Sequence, residues 1–176
     1  PISIIMRVVD LTMSFPIILF ALMLAVIRGP SIMTVSLIIC LTIWAGFARM
    51  ARGETLRVKN SEFIDAAKVM GVSKFRIMLR HIFPNAMTPI VVLGTLNIGR
   101  TALFISTLSF LGAGIPTTIP DWGNLISMGR DYLLRAPWVT IIPSVAVLVV
   151  VLCFNIMGDR LNEYLNPEIQ TKIPVR

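Results

Sequence analysis

The stretch WVTIIPSVAVLVVVLCFNIM, residues 138–157, carries no charged side chain and is long enough to cross a lipid bilayer as one α-helix. The rest of the chain has the same character, because 56% of its 176 residues are hydrophobic and only 14% are charged. The apolar residues come in long blocks rather than in short periodic stripes, which favours lipid as the surrounding solvent. A soluble domain of this size needs more polar surface to cover its core. We therefore expect an all-α membrane protein.

Three more apolar blocks lie upstream of residues 138–157. They predict spans at about 8–27, 31–48 and 86–112, so that the chain forms a helical bundle of about four spans. Pro16 predicts a kink in the first span, which neighbouring helices must accommodate. The third block is long enough to tilt across the bilayer or to be broken.

The basic residues are distributed unevenly between these blocks. Residues 49–80 carry eight Lys or Arg side chains against three acidic ones, whereas the segment 113–137 carries two Arg. Loops rich in Lys and Arg mark the cytoplasmic side of a membrane protein. We therefore expect a cytoplasmic loop at 49–85 and both ends of the chain in the cytoplasm. Because this topology accounts for the net charge of +7, we expect no nucleic-acid binding.

The outer segment between the third and fourth spans has helical character of its own. Asp121 stands where an N-cap would begin a short helix that runs to Leu134. Trp122, Tyr132 and Trp138 lie in or beside this helix. They indicate either an aromatic anchor at the membrane interface or a lip over the mouth of a transport pathway.

Residues 61–84 read SEFIDAAKVMGVSKFRIMLRHIFP, and we call this segment the 61–84 unit. Its pattern predicts two short amphipathic helices, each with apolar residues at i, i+3, i+4 and i+7. Gly71 fits the position after the first helix, where a left-handed backbone meets no Cβ clash. Ser73 can cap the second helix, and Pro84 is expected to end it. The two stripes are Phe63, Ala66, Ala67 and Met70 in the first helix and Phe75, Met78, Leu79 and Ile82 in the second.

These apolar stripes must be buried against the bundle, the lipid interface or a partner protein. A helix that lies in the lipid interface would carry large apolar side chains throughout. Ala66 and Ala67 instead form a shallow face that lets another backbone approach closely. This detail favours docking into a groove on a protein, and it leaves open which stripe faces the partner.

The chain carries no pattern of residues that predicts catalysis. It has no G-x-x-x-x-G-K-[ST] motif to hold nucleotide phosphates, and no Ser/His/Asp set or paired carboxylates in a plausible site. Cys40 and Cys153 lie within apolar blocks, where packing is a simpler role than a disulfide or a metal site. We therefore expect a non-catalytic chain without metal or cofactor, driven by a partner.

Two other classes of membrane protein fit four apolar spans. An ion-coupled secondary carrier would normally place acidic residues at midspan, and this chain has none there. A structural subunit of a membrane complex would explain the spans but would leave the sequence DAAKVMG of the 61–84 unit unexplained.

DAAKVMG at residues 65–71, followed by HIFPN at 81–85, resembles the EAA motif of ABC-importer permeases. Five longer blocks resemble the dipeptide/oligopeptide/nickel branch of that family, so the likeness covers residues 3–167. Asp65 replaces the usual Glu, and Phe83 replaces the usual Leu before the proline. The blocks are MRVVDLTMSFP, WAGFARMARGETL, TLSFLGAG, DWGNLISMGRDYL and FNIMGDRLNEYLNP, in this order.

The resemblance implies a type I importer fold in the membrane of a prokaryotic cell. Residues 1–170 would form one transmembrane permease domain and 171–176 a cytoplasmic tail, and two further N-terminal spans of the relatives would be missing from this chain. The 61–84 unit, through its two stripes and Asp65, Gly71 and Pro84, would couple the pathway to ATPase subunits.

The partners that the resemblance implies are two ATP-binding subunits, a second homologous permease subunit, an extracytoplasmic solute-binding protein and the lipid bilayer. ATP would be bound by the partner subunits, so this chain would need no cofactor. The cargo would be peptides or related small solutes, with nickel complexes, glutathione and oligosaccharides also open.

Arg100 lies near the middle of the predicted third span, where relatives tend to have Gly. A charge at that depth costs at least ~2.5 kcal/mol, so the side chain should face protein or a wet cavity. It either pairs with carbonyl groups or with the second permease, or it lines the pathway and meets an anionic group such as a peptide carboxylate. Asp10 is the only acidic residue within the spans.

Overall fold

The structure of the protein is a computed structural model that describes residues 2–165. Every regular element in this range is a helix, so the prediction of an all-α protein is confirmed. The predicted tail at 171–176 lies outside the described residues. The α-helices are α1 (Ile2–Ser14), α2 (Ile17–Arg28), α3 (Ile32–Lys59), α4 (Glu62–Val69), α5 (Lys74–Ile77), α6 (Phe83–Phe110), α7 (Trp122–Gly129) and α8 (Trp138–Leu165).

Three helices of the described range are long and apolar enough to cross a membrane. They are α3, α8 and the continuous helix Lys74–Phe110, which contains α5 and α6. The pair α1 and α2 adds a fourth span if it is taken as one broken span. The prediction of about four spans therefore agrees with the structure when α1 and α2 are counted together as one span.

The kink predicted at Pro16 is a break between two helices. α1 ends at Ser14, α2 begins at Ile17, and their axes differ by 83°. A proline has no backbone N–H and its ring collides with the carbonyl one turn earlier, so a helix rarely passes through it undisturbed. On the far side of the break, the Phe20 N–H donates to the Pro16 carbonyl at 3.1 Å and closes the first turn of α2.

The segment 49–85, predicted as a loop that contains two short helices, is helical over most of its length. α3 continues past residue 48 to Lys59, because Arg, Met, Leu and Glu keep a high helix propensity after the chain has left the apolar block. At the other side of the loop, the helix that ends in α6 already begins at Lys74. Irregular backbone is confined to the connections around Asn60 and Gly71.

The prediction that Pro84 ends the second short helix is wrong. A π-helical turn at Met78–Ile82 joins α5 to α6, and the Phe83 N–H donates to the Met78 carbonyl five residues back. A proline inside a helix leaves one carbonyl without its usual donor, and a π turn is a common way to accommodate this. The Asn85 side chain adds a donor here, with its Nδ2 2.6 Å from the His81 carbonyl oxygen.

α6 is the central helix of the bundle and packs against α3, α7 and α8. Small residues bring α6 and α8 close together. A Cβ placed on Gly99 would lie 3.3 Å from the Val151 carbonyl oxygen, and one placed on Gly158 would lie 2.6 Å from a methyl carbon of Leu96. Close approach at glycine is typical of helix contacts in membranes, where lipid supplies no hydrophobic drive for association.

α7 closes the end of the bundle opposite the 61–84 unit. Asp121 caps it as predicted, because its Oδ2 accepts from the Gly123 N–H at 3.0 Å and from the Asn124 N–H at 3.3 Å. The predicted extension to Leu134 is wrong, since α7 ends at Gly129 and one 3-10 turn follows. α7 packs against α6 and α8.

Candidate functional site

The 61–84 unit turns sharply at Gly71. Gly71 has φ +75°, as predicted for the residue that follows a helix. Its N–H donates to the Lys68 carbonyl at 3.0 Å, and the Val72 N–H donates to the Ala67 carbonyl at 3.1 Å. This pair of bonds is a Schellman motif, which satisfies the last carbonyls of α4 and fixes the direction of the chain toward α5.

The unit has a small hydrophobic core of its own. Ile64, Ala67 and Ile77 are buried together, and Val72 and Ile82 pack against them. α4 and α5 therefore meet through side chains as well as through the turn. Both contacts hold the angle between α4 and α5.

Polar contacts in the unit are local. Asp65 forms an ion pair with Lys68, with 2.6 Å between Oδ1 and Nζ, so it pairs within the unit as expected. Both side chains are half exposed or more, and a pair of this kind contributes little stability. Ser73 occupies the N-cap position of α5 but its side chain makes no capping bond.

In each of the two predicted stripes, the structure covers one residue and leaves the other three exposed. In the first stripe, Ala67 is buried while Phe63, Ala66 and Met70 are exposed. In the second, Ile82 is partly buried, whereas the remaining members are exposed. The residues that form the inner face, Ile64 and Ile77, were not predicted, although the i, i+3 spacing of Ile64 and Ala67 was visible in the sequence. The exposed members of the second stripe are Phe75, Met78 and Leu79.

The unit leaves several large apolar side chains exposed, and we call this set the apolar patch. Met70 is 75% exposed and Phe75 is 69% exposed. Lys74 and Arg76, both exposed, border the patch in sequence. An exposed apolar patch rimmed by charged residues is typical of an interaction surface.

The unit is connected directly to two long helices. α3 enters it after the short connection at Asn60 and Ser61, and α5 leaves it through the π turn into α6 without interruption. The end of α3 also packs against the π turn. The unit is therefore joined to a long helix at each of its ends.

A groove of about 610 Å³ lies between the α1–α2 pair, α3 and α6. Its walls are mainly apolar, and Arg100 lies on one of them. Arg100 is exposed, and its side chain forms no hydrogen bond or ion pair within residues 2–165. The other polar lining residues are Thr42, Arg49, Asn97 and Thr101.

One ion pair joins two walls of this groove. The Arg49 Nη2 lies 2.7 Å from the Asp10 Oδ1 and ties α3 to α1. The two residues are 39 positions apart, and the sequence did not indicate their pairing. In the described part of the chain, no cluster of three His, Cys, Asp or Glu side chains is arranged to hold a metal ion.

The chain matches the family model described as "Binding-protein-dependent transport system inner membrane component" over residues 3–171. The chain belongs to this family. The predicted resemblance to ABC-importer permeases is thus confirmed, and the family is one of inner-membrane proteins, in agreement with the several apolar helices.

Members of this family with curated descriptions align with 94% of the chain. The dipeptide transport system permease protein DppC of Alkalihalophilus pseudofirmus is 36% identical over 165 residues. The oligopeptide transport system permease protein OppC of Salmonella typhimurium is 38% identical over 166 residues, and the glutathione transport system permease protein GsiD of Shigella flexneri is 37% identical over 166 residues. The chain spans 54–55% of the length of these relatives.

Proposed function

We propose that this chain is a non-catalytic permease subunit of an ATP-driven importer and that it forms part of the pathway for peptides or related small solutes. Family membership supports the transport role, and the names of the relatives support dipeptides, oligopeptides and glutathione as the class of cargo. In this proposal ATP is bound and hydrolysed by partner subunits, and the chain itself needs no cofactor or metal.

The observation that carries the proposal is the exposed apolar patch on a self-supporting unit. Phe63, Met70 and Phe75 are 49%, 75% and 69% exposed, and none of them belongs to the small core of the 61–84 unit. Burying a side chain of this size in a partner stabilises the complex by about 1.5–3 kcal/mol. A few such side chains are enough to anchor a coupling contact, since a handful of residues usually dominates an interface.

The connection of the unit to the bundle supports a lever mechanism. When the ATP-binding subunits close, they would displace the 61–84 unit as one body. α3 and α6 would move with it, and both helices line the groove that contains Arg100. The groove would then open alternately to one side of the membrane and to the other.

The proposed assembly contains two ATP-binding subunits against the 61–84 units, a second homologous permease subunit beside this chain, and an extracytoplasmic solute-binding protein at the α7 end. We propose that the unit and both ends of the chain are cytoplasmic. The basic residues of 49–80 support this orientation. The bundle lies in the lipid bilayer, and no nucleic acid takes part.

An ion-coupled carrier is less well supported by the groove. A proton or sodium path normally contains acidic side chains, and none lines this groove among the described residues. The groove wall offers a cation instead. A structural membrane subunit would give no reason for the exposed patch on the 61–84 unit.

The proposal is tested by placing a charge on the patch in the whole transporter with its partner subunits. Phe75→Glu should lower ATP-driven uptake about tenfold or more while membrane insertion stays normal, because a carboxylate must lose its water to enter an apolar contact. Tyr164→Glu is the matched control, because Tyr164 is an 83% exposed aromatic residue in the last turn of α8, at the same end of the bundle. Equal uptake by both variants would refute the coupling role.

A further inference from the structure

The groove between α1, α2, α3 and α6 contains a cation without a partner. Two of its lining residues, Arg49 and Arg100, are positively charged, and no lining residue is acidic. Arg49 is neutralised by Asp10 at 2.7 Å. The Arg100 guanidinium has no hydrogen-bonding or ionic partner within residues 2–165. The net electrostatic character of the groove is therefore set by Arg100.

Two other polar side chains of the groove already donate hydrogens to the backbone. The Thr42 hydroxyl donates to the Ile38 carbonyl at 2.6 Å, and the Asn97 Nδ2 donates to the Leu93 carbonyl at 2.9 Å. The Thr101 hydroxyl makes no hydrogen bond among the described residues, so it remains available as a neutral donor. Arg100 is thus the strong free donor, and its planar guanidinium suits two parallel bonds to a carboxylate.

The size and lining of the groove define the rest of the ligand. About 610 Å³ is within the usual range for small-molecule sites, which are mostly apolar with a few fixed polar groups. Ile39, Ile43, Leu93 and Phe104 supply the apolar walls. A solute with one carboxylate and a short apolar or amide body fits this arrangement.

We propose that Arg100 is a specificity-determining residue that binds the carboxylate of the transported solute inside the groove. This inference rests on the proposed importer function and names the chemical class of its cargo. The position of Arg100 within a membrane span would give the contact its strength, because an ion pair gains more in surroundings of low dielectric constant than in water. Because Asp10 already neutralises the charge of Arg49, the carboxylate of the solute binds to Arg100 instead.

The test measures uptake of the dipeptide Ala-Ala by the complete transporter carrying Arg100→Lys, Arg100→Gln or Arg100→Glu. If charge matters, uptake follows the order Arg, Lys, Gln, Glu, and the Gln variant loses about tenfold or more, as expected when a charge-assisted hydrogen bond is removed. Arg52→Gln is the matched control, because Arg52 is exposed on α3 and does not line the groove. It should stay within about twofold of the unmodified transporter.

A second probe separates the carboxylate from the rest of the solute. Ala-Ala amide has the same body without the negative charge, so the ratio of variant to unmodified uptake should fall for Ala-Ala and stay near one for the amide. Equal ratios for both probes, or equal loss in the Lys and Glu variants, would overturn the inference, because a packing role for Arg100 does not depend on cargo charge.

The result also distinguishes the inference from the function on which it rests. An unmodified transporter that shows no ATP-dependent uptake of these probes, of a longer peptide or of glutathione refutes the importer function. An unmodified transporter that imports Ala-Ala, together with an Arg100→Glu variant that imports it equally well, refutes the carboxylate site alone. Loss of membrane insertion in the Gln and Lys variants alike would assign Arg100 to assembly and overturn the inference too.

Discussion

The small core of the 61–84 unit gives a prediction that can be worked out quantitatively. Ile64 is fully buried between α4 and α5, and Ile64→Ala removes most of its side chain. Such a change costs 2–5 kcal/mol in a well-packed core. Because this core is small and lies near the surface, we expect the lower end of the range, about 2 kcal/mol. The local opening of the unit should then become on the order of 30 times more frequent.

The effect should be confined to the unit, since Ile64 does not belong to the cluster around Ile38 and Leu108 in the bundle. Hydrogen exchange by mass spectrometry on the membrane-embedded protein measures it directly. The Val72 N–H, which bonds to the Ala67 carbonyl, should exchange about 30-fold faster in the variant. Amides in the middle of α6 and α8 should keep their protection.

Val69→Ala provides the control for this experiment. Val69 lies on α4 as well, but its side chain is 90% exposed, so its truncation should change exchange by less than about twofold. Equal exchange in the two variants would show that the cluster around Ile64 does not hold the unit together. The rigid-body movement proposed for the unit would then lose its physical basis.

Two further changes test the packing of α7 at the opposite end. Gly123→Ala places a Cβ against the Ser106 carbonyl oxygen and should destabilise the bundle by about 1–3 kcal/mol, whereas Gly46→Ala, with open space around it, should have little effect on the thermal midpoint. Asp121→Ala removes the cap of α7 and should cost about 1 kcal/mol in denaturant unfolding, while Asp131→Ala, which removes an exposed carboxylate nearby, should cost less than half of that. An Asp121 variant as stable as the Asp131 variant would contradict the capping role.

Features decided within one helical turn were predictable from the sequence. The positive φ of Gly71 and the capping role of Asp121 follow from local chemistry, and both are confirmed. The charge-free block at 138–157 likewise predicted α8, which extends further to Leu165. In each case the residues that decide the structure are neighbours in the chain.

Features that depend on how one helix continues into the next, or on the angle between two helices, were not predicted. Pro84 was expected to stop a helix, but the π turn before it lets the helix continue into α6. The contact of Ile64 with Ile77 depends on the angle at the Gly71 turn, which side-chain spacing alone does not give. The pairing of Arg49 with Asp10 depends in turn on the 83° break between α1 and α2.

Site-directed cross-linking tests the central claim most directly. Cys40 and Cys153 are first replaced by Ala. A single cysteine is then introduced either at Met70 in the 61–84 unit or at Leu134 near the opposite end of the bundle, and both positions are exposed. If the 61–84 unit contacts the ATPase, the Met70→Cys variant should form a cross-link to the ATP-binding subunit, and the yield of this cross-link should change when ATP is added. The Leu134→Cys variant should form no such cross-link. If Met70→Cys reacts only with a lipid-tethered reagent and never with that subunit, the coupling role of the 61–84 unit is contradicted.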